Sequence, residues 1–94
     1  MHGGRFRLFL LEDDDNDATL IGRALERSQR PCDVTRFHDP TAAIQFLNSI
    51  IATEIQAPHL IITDLKMPKM TGLDFVKWLR GSRFSFIPVI MLSH

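Results

Sequence analysis

Apolar positions along the chain follow two rhythms. Residues 6–11 (FRLFLL), 59–63 (HLIIT) and 87–92 (IPVIML) are short, nearly unbroken apolar runs. That pattern suits strands covered on both faces. Between the runs, apolar residues recur at intervals of three and four. Over 15–29, Ala18, Ile21, Ala24, Leu25 and the small Ser28 trace one side of a helix, with Arg23, Glu26 and Arg27 elsewhere around the wheel. Asp15, Asn16 and Asp17 supply its cap and acidic first turn, and Pro31 stops it. Residues 33–37 predict a short second strand. Asp39 and Pro40 open a second helix as N-cap and first helical residue. Its buried stripe is Ala43, Ile44, Leu47, Ile50 and Ile51, and Pro58 punctuates the segment after it. A loop around Pro68 covers 66–71. Residues 72–80 predict a third helix with Leu73, Val76 and Trp78 or Leu79 facing inward, closed by Gly81.

The resulting order is β-α-β-α-β-α-β. Strands buried on both sides and separated by helices predict an α/β fold, a doubly wound parallel sheet with helices on both faces. Crossovers in such a sheet are right-handed. Sites in such sheets form beyond the carboxyl ends of the strands. Glu12 and Asp13 follow the first strand, Asp64 the third and Ser93 the fourth, so residues far apart in sequence converge on one edge.

Length and composition narrow the picture. A chain of 94 residues suffices for one domain, taken here as 1–94. It is 45% hydrophobic and 23% charged, an ordinary globular balance. Formal net charge is zero, so no nucleic-acid partner is expected. Cys32 is the one cysteine, which excludes an internal disulfide and suits a reducing compartment. No stretch approaches the roughly 20 apolar residues of a membrane helix, and residues 1–7 show no signal peptide. A cytoplasmic protein without membrane contact is the expectation.

Charge placement matters more than its sum. Positions 12–17 (EDDDND) hold five of the eleven Asp and Glu residues. An acidic run before a helix is ordinarily a cap favoured by the macrodipole, and that account covers Asp14, Asp15 and Asp17. Glu12 and Asp13 need another, because Asp64 shares their edge. Clustered carboxylates repel, and a divalent cation relieves them. Oxygen-only ligands with open positions suit Mg2+. A carboxylate in such a site can also act as nucleophile and form an aspartyl phosphate. His38 and His59 lack the spaced partners of a metal site and read as structural or surface residues.

Three segments in order, LLEDDDND, LIITDLKMPKMTG and IPVIMLS, resemble the receiver domain of two-component response regulators over essentially the whole chain. The resemblance implies a flavodoxin-like fold with strand order 2-1-3-4-5. It implies that Asp64 accepts a phosphoryl group from a histidine kinase or phosphotransfer protein. It further implies that Glu12, Asp13, Asp64 and the backbone carbonyl of Lys66 hold Mg2+, and that Ser93 is the switch hydroxyl. Met67, Pro68 and Gly72 match the loop that shapes the site. The chain departs from the family in lacking the final strand, the last two helices and the lysine that pairs with the phosphate. His94 also stands where the family has a small residue.

The expected function is therefore a signalling phosphoacceptor rather than an enzyme, with output through protein contacts. The alternative is a truncated, phosphorylation-impaired receiver that serves as an interaction or dimerisation module. A homodimer through the edge of the fourth strand is expected in either case. A metal-dependent phosphatase with an aspartyl phosphate would carry a second Asp at the position of Lys66, so that reading ranks last.

Overall fold

The computed structural model describes residues 5–50 and 57–92. The elements are β1 (Phe6–Leu11), α1 (Asp15–Glu26), β2 (Cys32–Phe37), α2 (Pro40–Ser49), β3 (Leu60–Asp64), α3 (Gly72–Arg80) and β4 (Val89–Leu92). The strands form one parallel sheet in the order β2-β1-β3-β4.

Alternation along β1 sorts the core into two layers. Phe9 and Leu11 point into a cluster with Ala43, Leu47, Ile61, Phe75 and Leu79, which is the face covered by α2 and α3. Leu8 and Leu10 join Ala18 and Ile62 on the opposite face, under α1. A strand with both faces covered cannot alternate apolar with polar, which is why β1 and β3 read as continuous runs. β2 and β4 behave differently. Each is paired on one side among the described residues, and their burial falls accordingly: Asp33, Val34 and Thr35 are exposed, as is Ile90. The expectation that every strand is buried on both sides holds for β1 and β3 only.

Local corrections follow from capping and packing. α1 ends at Glu26 rather than Gln29. Ser28 turns its hydroxyl back onto the Leu25 carbonyl, and Gln29 adopts a left-handed φ of 65°. Pro31 then disfavours helical backbone at Arg30. The N-cap is Asp14, whose carboxylate accepts from the Asp17 N–H at 2.9 Å, so the cap lies one residue before the predicted trio. Ala24 and Ser28 are exposed, leaving Ala18, Ile21 and Leu25 to face the sheet. Asp39 caps α2 with Pro40 at its first turn, as expected. Ile50 is buried at the end of α2, while Ile51 lies outside the described residues.

Three further differences concern strand ends and α3. β2 starts one residue early at Cys32, and β3 runs 60–64, so Asp64 is its last residue. β4 begins at Val89, because Ile87 belongs to the preceding turn and is buried there with Phe84. Phe86 between them is exposed, as is Leu73, whereas Phe75 and Leu79 fill the core. Val89 and Met91 are half-buried.

Candidate functional site

The site is built where β1 and β3 stop. Glu12 follows β1, and its main-chain N–H and C=O are both held by the end of β2. Its N–H donates to the Phe37 carbonyl at 3.0 Å, and its carbonyl accepts from Arg36 Nε at 3.0 Å. The Glu12 side chain is fully buried, and its Oε2 accepts from the Asp14 N–H at 3.2 Å. Asp13 is exposed beside it.

Asp64 closes β3 and is 7% exposed. Three contacts lock the main chain at Asp64 and Leu65. The Thr63 hydroxyl donates to the Asp64 carbonyl at 3.0 Å. Asp64 is in register with Leu92, and the next N–H, of Leu65, donates to the Leu92 carbonyl at 3.0 Å. Gly72 then folds the start of α3 back, donating its N–H to the Leu65 carbonyl at 2.9 Å. Between them the loop makes a γ-turn at Lys69. Its φ is 73°, and the Met70 N–H donates to the Pro68 carbonyl at 2.8 Å.

These placements bring one carboxylate oxygen from each of Glu12, Asp13 and Asp64 within 4.8 Å of one another. Two unit charges about 5 Å apart at an effective dielectric near 20 repel by about 3 kcal/mol. Two of the three carboxylates are buried, so water screens them poorly. A donor set made only of oxygens, crowded in this way, fits a hard divalent cation.

The other predicted site residues fare differently. Lys66 is exposed at the start of the loop, two residues after Asp64. Ser93 and His94 lie outside the described residues. Sequence reasoning missed Arg36, which reaches from β2 to the site. Besides the Glu12 carbonyl it binds Asp15, with Nη1 to Oδ1 at 2.8 Å. That hydrogen bond and the guanidinium charge hold the Asp15 carboxyl below its ordinary range. A lone arginine in a strand otherwise carries no signal of this role. Among the described residues no helix is long and apolar enough to cross a membrane.

Residues 8–94 match the response regulator receiver domain, and the chain belongs to that family. It is 37% identical over 95 residues to the two-component response regulator ARR5 of Arabidopsis thaliana, covering 92% of this chain and 50% of that protein. Among solved structures it is similar to the phosphorylated cyanobacterial phytochrome response regulator RcpA. That match has 30% identity and a TM-score of 0.84, over 96% of this chain and 66% of the other. It is also similar to the Mn2+-bound form of the response regulator Rcp1, with 28% identity and a TM-score of 0.81, over 94% of this chain and 65% of the other. The chain spans about half the length of the curated relatives it matches.

Proposed function

We propose that this chain is a phosphoacceptor module in a two-component pathway, with Asp64 as the nucleophile. The observation that carries the reading is the convergence of Glu12, Asp13 and Asp64 at the carboxyl ends of β1 and β3. Asp64 attacks the phosphorus of a phosphohistidine on a kinase or phosphotransfer partner. A P–O bond forms as the P–N bond breaks, and the electron pair leaves with the imidazole nitrogen, which takes up a proton. Glu12, Asp13, Asp64 and the Lys66 carbonyl would hold Mg2+, which would supply positive charge to stabilise the phosphoryl group. Glu12, buried and bonded through its main chain to β2, keeps the acidic pair in place. Ser93 serves as the switch hydroxyl. The chain acts in the cytoplasm by protein contacts and performs no turnover chemistry beyond slow loss of its own phosphoryl group.

Incubation with a small phosphodonor and Mg2+, followed by intact-mass measurement, tests this. One phosphoryl group is expected on the wild type and none on Asp64→Asn. Labelling that survives Asp64→Asn would assign the nucleophile elsewhere.

A homodimer joined along β4 is part of the same proposal. β4 is paired with β3 alone among the described residues, and Ile90 stands 48% exposed on it. Such an edge is a template for another strand. Light scattering over a dilution series is expected to report a dimer, and a folded monomer at micromolar concentration would defeat it.

A further inference from the structure

We infer that Arg36 is the positioning residue of the carboxylate cluster, acting by geometry and against its own charge. The inference rests on the proposed metal-binding reading and deepens it. Arg36 is paired in register with Leu10, one residue before the strand end, and its guanidinium forks across the β1–α1 connection. One prong, Nε, holds the Glu12 carbonyl at 3.0 Å, and the other, Nη1, holds Asp15 Oδ1 at 2.8 Å. Asp13 lies inside the bracket so formed. The next residue of the strand, Phe37, accepts from the Glu12 N–H at 3.0 Å, so the peptide groups on either side of the Glu12 Cα are both fastened to β2.

Charge alone argues the other way. A guanidinium beside a cation site repels the cation, so a residue present only for its charge would weaken binding. Stability is also a poor reason for this side chain. Its Nη2 is buried and makes no hydrogen bond among the described residues, a state that costs free energy. What the fork does supply is a fixed path for the chain from Glu12 to Asp15, which sets where the Glu12 and Asp13 carboxylates stand relative to Asp64. Partners of this outer kind commonly change metal affinity by about 10–100-fold.

The two effects have opposite signs, so two variants separate them. Arg36→Met keeps the apolar stem and removes both prongs and the charge. Arg36→Lys keeps the charge but replaces the rigid planar fork with a single ammonium nitrogen on a flexible stem. Mg2+ dissociation constants are read from melting temperature against Mg2+ concentration, and amide hydrogen exchange at residues 13–17 is measured in EDTA. Positioning predicts affinity weakened about tenfold or more in Arg36→Met and measurably in Arg36→Lys. It also predicts faster exchange at 13–17 in Arg36→Met, with the unliganded melting temperature nearly unchanged. Tighter binding in Arg36→Met with wild-type affinity in Arg36→Lys would make Arg36 a charge effect and overturn the inference. So would a large fall in melting temperature with unaltered affinity. If the wild type responds to Mg2+ no differently from an Asp13→Ala, Asp64→Ala double variant, the metal reading itself fails and this inference falls with it. If the wild type responds and the Arg36 variants respond equally, this inference alone is lost.

Discussion

Gly72 is packed against the main chain of Asp64. A Cβ at position 72 would lie 2.4 Å from the Asp64 carbonyl oxygen and 3.3 Å from its carbonyl carbon. The obstacle is backbone at the end of a central strand, which cannot rotate away. Gly72→Ala is therefore expected to destabilise the fold by about 1–3 kcal/mol, the usual range for overpacking. It should also displace Asp64 from the other carboxylates. Urea melts with and without Mg2+ check both: lower stability in EDTA, and a smaller Mg2+-induced gain than in the wild type.

Mg2+ is expected to stabilise the wild type. An ion that binds only the folded chain adds about 2.7 kcal/mol at a hundredfold excess over its dissociation constant. The carboxylates of Glu12, Asp13 and Asp64 are the source of that selectivity, because they lie within 4.8 Å of one another in the folded chain. Thermal melts of the wild type and of Asp13→Ala, Asp64→Ala should differ in their response. An equal shift in both would mean a general salt effect.

Phe75 is fully buried on α3 and Leu73 is 55% exposed. Phe75→Ala is expected to cost about 3–5 kcal/mol, as for other large-to-small changes in a packed core. Leu73→Ala should change stability by less than about 0.5 kcal/mol, as surface substitutions do. Denaturant midpoints of the two variants measure the contrast, and comparable losses would contradict the orientation of the helix.

Cys32 starts β2, half-buried. Burial, and then the neighbouring Asp33 charge, raise its thiol pKa, with Arg5 opposing. A raised folded pKa favours the folded state while the thiol is protonated. Any contribution is full below the unfolded thiol pKa of about 8.5 and declines as pH rises toward the folded value. At mildly alkaline pH the thiol should react with iodoacetamide more slowly than a small free thiol, and urea should restore the ordinary rate. Equal rates in the folded and unfolded chain would refute the shift.

Much of this protein was legible in its sequence. The unbroken runs at β1 and β3, the helical spacing between them and Asp39-Pro40 at the start of α2 were enough for the βα order and the parallel sheet. So was the meeting of Glu12, Asp13 and Asp64, because strand ends in such a sheet share one edge. These features come from backbone periodicity and local capping, which each segment carries by itself.

Other features depended on what each segment meets. Leu73 and Phe75 are both apolar residues of α3, and only the angle at which α3 lies on the sheet buries one and exposes the other. Phe84 and Phe86 differ in the same way, separated by a turn that points one ring into the core. The apolar run of β4 suited a strand covered on both faces, yet its burial is partial, because an apolar run does not record which neighbours it has. Arg36 shows this most plainly. Its partners Glu12 and Asp15 lie 24 and 21 residues away in the chain, and only the parallel pairing of β2 with β1 carries its guanidinium to them. Local sequence determines which elements form and places their ends to within a few residues. Packing between elements decides which side chains meet, because a contact is a property of two surfaces and each segment specifies one.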